Sequence, residues 1–454
     1  MQPALDDTST LTDPSPSATS TAPAAPAPTE KRDWRDSFAT LKIRNYRLFV
    51  QSQIIANTGL WMQRVAQDWL VLQLTGSVAA VGMTVALQFT PMLVFGLLGG
   101  VIADRYPKRT LLTISQSSAG VLAGMLALLT LTGAVHAWHV YLIAIMLGFV
   151  TVIDNPARQV FVNEMVGPEH LRNAISVNSS IFQLGGLIGP AISGILIHAV
   201  GEGWSFAINA VACGYVVVTL LRMRTSELRV SPTVARGKGQ LREGLRYAAS
   251  EPAIRWTIVL VAFVAVFGMN MPVLLAAFAK DVFHLGAGGY GLFNSLVAAG
   301  ALVGALTSTR RGGIRLRLLA GAAAVFGILQ ATASIAPVML IYCITLVFIG
   351  AATLVFLTGA NTLVQSTAGI ELRGRVMSLY VLVLLGGQAI GAVIMGRISE
   401  SFGPRAAMAI SGLTPAIATI GIAFILARTA QLKLEVDLHR HAPAGHLRVV
   451  PRVA

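Results

Sequence analysis

Two pairs of opposite charges stand inside otherwise apolar stretches of this chain: Arg64 with Asp68, and Asp154 with Arg158. Each pair is spaced i,i+4, which puts its members on one face of a helix. An acid beside a base in an apolar medium can be a fixed ion pair. It can also carry a proton, because apolar surroundings and a neighbouring cation pull a carboxylate's protonation in opposite directions. Asp68, with Arg64 beside it, is the first candidate for a proton carrier. Asp154, with Pro156 between it and Arg158, is a second candidate for direct proton binding. Other chemistry finds little support. The apolar runs hold no Ser/His or His/Asp constellation, and no GxxxxGK loop is present. His136, His139, His198 and His284 lack ligand spacing, so no metal and no cofactor are expected. Cys213 and Cys343 fall in apolar runs and read as small hydrophobes. A membrane-embedded transferase is a remote alternative.

The elements that must hold these charges are long and greasy. Of 454 residues, 54% are hydrophobic and 12% charged, and mean hydropathy is +0.69. A soluble chain of this size needs more polar surface to cover its core. Apolar runs of roughly 20 residues recur, as in a polytopic helical membrane protein. Twelve spans are expected, from 46–74 to 405–428. The connections between them alternate between basic and nearly uncharged. Lys and Arg mark the cytoplasmic side, so both termini are expected there. The formal charge of +14 is thereby assigned to topology and not to nucleic acid.

The first 30 residues are rich in Ala, Pro, Ser and Thr and read as a disordered tail, not a signal peptide. The expected organisation is a tail over 1–40, a six-helix bundle over 41–223, a linker over 224–253, a second bundle over 254–428 and a basic tail over 429–454. The linker's "QLREGLRYAASEPAIRW" has the spacing of a helix lying at the membrane surface. The halves resemble each other. Gly100, Asp104, Arg105 and Arg109 match Gly304, Ser308, Arg310 and Arg315, and "LRNAISVNSSIFQLGGLIG" matches "LRGRVMSLYVLVLLGGQAIG". The offset is about 200 residues both times, as in transporters whose duplicated halves rock about a central site.

"GGVIADRYPKRTLL" lies between the second and third spans. With it the chain resembles the major facilitator superfamily, whose signature there is Gly-x-x-x-Asp-Arg-x-x-x-Arg. The matching residues are Gly100, Asp104, Arg105 and Arg109, with Lys108 beside them. The resemblance implies an all-α membrane fold of twelve transmembrane helices in two pseudo-symmetric six-helix bundles. It also implies that this cluster, with Arg158, latches the halves together, and that Asp154 acts in a relay with Arg105 or Arg109; the basic residues can equally meet lipid headgroups. Span five reads "GGLIGPAISG", and Gly185, Gly189, Pro190 and Gly194 fit a pattern associated in the family with proton-exchanging exporters. Generic small-residue packing is the alternative. "NYRLFVQSQIIANTGLWMQRVAQDWLVLQLTGS" and "DNPARQVFVNEMV" look like the bacterial branch holding the enterobactin exporter and drug-efflux proteins. One departure stands out: many drug–proton antiporters carry an Arg in the middle of span four before a Gly-rich stretch, and here no Arg precedes Asp154 in that span.

A transporter's cavity needs polar groups on inner helices. In the first half the candidates are Gln53, Asn57, Trp61, Gln88, Asn178 and Gln183. In the second they are Asn270, Asn294, Asn361, Gln365 and Gln388. Each could instead make helix–helix hydrogen bonds. The expected function is proton-coupled efflux of a small amphipathic molecule, drug-like or siderophore-like, across the bacterial inner membrane. An importer, facilitator or lipid transporter of the same fold is the runner-up. The expected partners are that substrate, protons and lipids, and a monomer is the default.

Overall fold

The computed structural model describes residues 40–229, 240–308, 316–369, 372–429, 432–436 and 447–451. Residues 1–39 of the expected tail over 1–40, the centre of the linker, Arg310, Arg311 and Arg315 lie outside the described residues.

The first half is α1 (Arg44–Thr75), α2 (Val78–Arg105), α3 (Lys108–Leu131), α4 (Ala137–Val166), α5 (Leu171–Val200) and α6 (Gly203–Arg222). Their ends follow from local chemistry. Gly76 takes a left-handed φ of 69° and closes α1 with its N–H on Leu72 O. The Ser77 hydroxyl then accepts from the Ala80 N–H and caps α2. Pro107 separates α2 from α3, and Gly167 and Gly201, both at positive φ, end α4 and α5.

A short helix, α7 (Gln240–Ser250), follows where the surface helix was expected, and it packs on α8 (Pro252–Phe263) and α13 (Arg373–Phe402). Span seven is broken. After α8 come a π-turn at Val264–Gly268, α9 (Met271–Ala277) and a second π-turn at Phe278–Val282. Pro272 lacks the N–H a continuous helix would need. Asn270 sits at the break, its Nδ2 donating to Val266 O at 2.7 Å. The rest is α10 (Ala287–Ser308), α11 (Leu316–Ser334), α12 (Met339–Thr367), α13 and α14 (Pro404–Thr429). Beyond the spans, β1 (Leu432–Val436) pairs antiparallel with β2 (Leu447–Pro451).

Among the described residues, eleven segments are long and apolar enough to cross a membrane, with Pro252–Val282 counted as one. The twelfth span is α1. It has 32 residues, ample length. It is too polar to be counted by composition because it carries Gln53, Asn57, Gln63, Arg64, Gln67 and Asp68, all buried or half-buried within the protein. Large apolar side chains point outward instead, Ile195 at 72% and Val211 at 74% exposure, as a lipid-facing surface requires. The chain is a multi-pass membrane protein.

The duplication is visible as glycine contacts. A Cβ at Gly99 on α2 would strike Val152 O on α4, and one at Gly148 would lie 2.6 Å from Gln88 O. In the second half, Gly300 meets Val347 O and Gly350 meets Val297 O in the same way. Gly99 is thus a residue that lets α2 reach α4. The halves meet where α5 packs on α10 and α2 on α13.

Candidate functional site

Cross-half contacts gather at the end of the bundle marked by Gly76. The Tyr290 hydroxyl on α10 donates to Asp68 Oδ2 on α1 at 2.9 Å, with both side chains buried. The Trp69 and Tyr290 rings stack with centroids 6.0 Å apart. Lys280 Nζ donates to Gly76 O. A Cβ at Gly291 would strike Pro190 O and come within 3.0 Å of Gly194 Cα, so α5 and α10 touch backbone to backbone. Gly82 meets Ala392 O, and a Cβ on Gly396 would lie 3.0 Å from Ala79 Cα, which joins α2 to α13.

Span five's small residues thus split their work. Gly185 seats α5 on Asn57 of α1, where a Cβ would lie 2.9 Å from Asn57 Cβ. Gly189 does the same at Trp61, 2.7 Å from its Cβ. Pro190 and Gly194 face the other half.

Two cavities lie toward the opposite end, marked by Lys108. The first, about 380 Å³, sits among α1–α6, with Leu385 of α13 closing one side. Gln53, Asn57, Gln88 and Asn178 line it, together with Arg64, Asp154 and Arg158. The second, about 930 Å³, opens between the halves, with Gln183 and Asn178 on α5 facing Leu302 and Leu306 on α10 and Thr358 on α12.

The other sequence candidates lie elsewhere. Trp61 packs under Arg64, whose guanidinium carbon is 5.1 Å from the Trp61 ring centroid. Asn270 serves the helix break. Asn294 donates to Tyr290 O at 2.9 Å. Gln365 donates to Asn361 Oδ1, and Gln388 Nε2 lies 3.7 Å from the Met269 sulfur.

The i,i+4 spacing does not make Arg64 and Asp68 an ion pair, since Asp68 turns to Tyr290 and Arg64 to Trp61. Asp154 does pair with Arg158, Oδ2 to Nη2 at 2.6 Å, and Gln116 Nε2 donates to its other oxygen at 2.9 Å. Arg158 also donates to Gln53 Oε1. The expected relay from Asp154 to Arg105 or Arg109 is replaced by these contacts. Arg109 is occupied elsewhere. Its Nε donates to Leu220 O at 2.7 Å and its Nη2 to Leu221 O at 2.9 Å, which caps the C-terminus of α6. Lys108 pairs with Glu164 at 3.7 Å. Arg105 is exposed and Asp104 half-buried. The contacts of Lys108, Arg109 and Arg158 therefore run within the first half.

Sequence reasoning missed Tyr290, Gln116, Gln63 and Asn209. The last two are hydrogen-bonded to each other in the lining of the first cavity.

Comparison with known proteins fits this architecture. Residues 35–452 match the family described as transmembrane secretion effector. The chain is 26% identical over 392 residues to the enterobactin exporter EntS of Citrobacter koseri, covering 84% of this chain and 92% of that one. It is 25% identical over 407 residues to EntS of Salmonella typhimurium, covering 87% and 95%. Among solved structures, a bacterial homologue of the human lysosomal transporter Spinster, inward-facing and unoccupied, superposes with a TM-score of 0.65 at 16% identity, over 85% of this chain and 96% of that one. The nucleoside transporter NupG superposes with a TM-score of 0.67 at 13% identity, over 84% and 99%.

Proposed function

Because the chain belongs to the transmembrane secretion effector family of the major facilitator transporters, and is a transporter and not an enzyme, we propose that it exports a small amphipathic molecule across the bacterial inner membrane in exchange for protons. The relatives named as enterobactin exporters support the direction and a siderophore-like or drug-like substrate. In this reading the Lys108 end is cytoplasmic, as are both termini, and the protein works as a monomer among membrane lipids. The state described here is closed at the outer, Gly76 end, with its cavities toward the cytoplasm. Alternating access then requires the Gly76 end to part and the Lys108 end to close. Gly100, Asp104, Arg105, Lys108, Arg109 and Arg158 would form the cytoplasmic latch of the alternate state.

One observation carries the proton-coupled reading: the buried carboxylate of Asp68 accepts its hydrogen bond from the other half, through Tyr290. A carboxylate so placed couples protonation to the separation of the halves, because gaining a proton changes what it can accept. Asp154, held by Arg158 and Gln116, is the second candidate.

The test uses everted membrane vesicles with a dye-reported pH gradient and a panel of cationic drugs, tetracyclines and catecholate siderophores. At least one compound is expected to collapse the gradient with the wild type and not with Asp68→Asn. A panel that leaves the gradient untouched, with radiolabelled uptake also absent, overturns the efflux reading.

A further inference from the structure

The walls of the first cavity carry two guanidiniums, Arg64 and Arg158, and one carboxylate, Asp154. Asp154 Oδ2 accepts from Arg158 Nε at 2.9 Å and from Nη2 at 2.6 Å, so these two charges answer each other. Arg64, among the described residues, has no carboxylate within ion-pair distance. The acid one turn along its helix, Asp68, is engaged by Tyr290 and does not line the cavity. Trp61 supplies a π-face to the Arg64 guanidinium but no acceptor.

The lining is also short of hydrogen-bond partners. Arg64 Nε is buried with none, and so are Gln53 Nε2 and Asn178 Oδ1 in the same lining. Gln53 Oε1 is taken by Arg158, which leaves its Nε2 as the free donor. Buried polar atoms normally find a protein partner or an ordered water, and several orphans in one cavity mark where a guest supplies the missing groups. A guanidinium prefers an anionic acceptor, with which its hydrogen bonds are about twice as strong as neutral ones. Phe89, Met92 and Leu147 give the same cavity an apolar wall.

We infer that this cavity binds an amphipathic anion, its carboxylate, sulfonate or ionised phenol on the Arg64 guanidinium and its apolar body against Phe89, Met92 and Leu147. Gln53 lies eleven residues from Arg64 on α1, about 16 Å of helix rise, so its free donor meets a second polar group at the far end of the ligand. The inference rests on the transport reading in taking this cavity for the substrate's, and it gives that substrate a charge.

The test compares two probes of one framework, anionic 8-anilinonaphthalene-1-sulfonate and neutral N-phenyl-1-naphthylamine. Full-length protein in lipid nanodiscs is titrated with each, energy transfer from protein tryptophans reports binding, and empty nanodiscs give the background. The anionic probe is expected to bind about tenfold more tightly than the neutral one. Arg64→Gln should abolish that preference and leave the neutral probe within about twofold, while Arg64→Lys should keep part of it. Equal affinity of the two probes in the wild type overturns the inference. So does an Arg64→Gln variant that weakens both alike, because Arg64 then serves only the fold. Compounds carried across the membrane without an anion preference sink this inference and leave transport standing. Anion preference without any flux does the reverse.

Discussion

Tyr290 reaches across 222 positions of sequence to donate to Asp68 at 2.9 Å, and the bond joins the two halves of the protein at one end. Gly291, the next residue, touches Pro190 and Gly194 of span five. The closed end is therefore both a hydrogen bond to a carboxylate and a backbone-to-backbone contact, side by side on α10.

Tyr290→Phe removes the donor and keeps the ring stacked on Trp69. A hydrogen bond to a charged group contributes about 1.5–3 kcal/mol. Its loss should raise the population open at the Gly76 end roughly tenfold or more. Labelling of a cysteine placed at Ser77 by a membrane-impermeant maleimide reads that population, and an unchanged labelling rate contradicts the assignment.

Gly291→Val puts side-chain atoms against Pro190 O, where the backbone cannot yield. Overpacking of this kind costs about 1–3 kcal/mol in the state that contains the contact. The variant should favour the state open at the Gly76 end, as judged by distances between spin labels on α5 and α10. Gly286→Val, in open space, is the control and should change nothing.

Arg109→Gln takes two donors from the last carbonyls of α6. The expected loss is about 1–2 kcal/mol of stability, seen as a lower melting temperature in detergent, with Arg109→Lys intermediate. A variant that loses transport at unchanged melting temperature would assign Arg109 wholly to the latch of the alternate state.

Asp154→Asn leaves Arg158 in a largely buried setting without its carboxylate. It should destabilise the protein by up to about 3 kcal/mol, and Arg158→Gln in the same chain should recover part of the loss. Additive losses in the double variant would show that the two side chains do not act as a pair.

Outside the spans, Arg229 Nη1 donates to Glu169 Oε1 at 2.6 Å. Glu169's own backbone N–H, and then Arg229, hold its carboxyl below the usual carboxylate range. A lowered folded-state value stabilises at neutral pH and is lost as pH falls through it. Acidification to below about pH 4 should therefore loosen the segment around Arg229. The Arg229 amide donates to Glu164 O at 2.9 Å, and its hydrogen-exchange protection factor gives the readout. Glu169→Gln should remove the pH dependence.

The spans were legible in the sequence because length and apolarity are local properties. Even α1, too polar to be counted as a span by composition, is recognisable from the rhythm of its neighbours. The site was legible only in part. Arg64 and Asp68 share a helix face, but each takes its partner from elsewhere, Asp68 from a helix 222 residues away. Asp154 was expected to pair with Arg105 or Arg109, yet the α6 carbonyls claim Arg109 and the i+4 geometry gives Asp154 to Arg158. Two glycines stand side by side at Gly99 and Gly100, and that Gly99 meets Val152 of α4 depends on how α2 crosses α4, which the sequence does not show. Span seven reads as one run in the sequence, and its break at Pro272, with Asn270 bonded to Val266 O, is seen only in the structure.

The most direct measurement is substrate-driven proton flux in proteoliposomes, with wild type, Asp68→Asn and Tyr290→Phe compared using one compound that responds in the vesicle screen. The account predicts stoichiometric proton movement in the wild type. It predicts substrate exchange without proton movement in Asp68→Asn, and coupled but faster-leaking flux in Tyr290→Phe. Proton movement in Asp68→Asn equal to that of the wild type would contradict it and transfer the coupling role to another group.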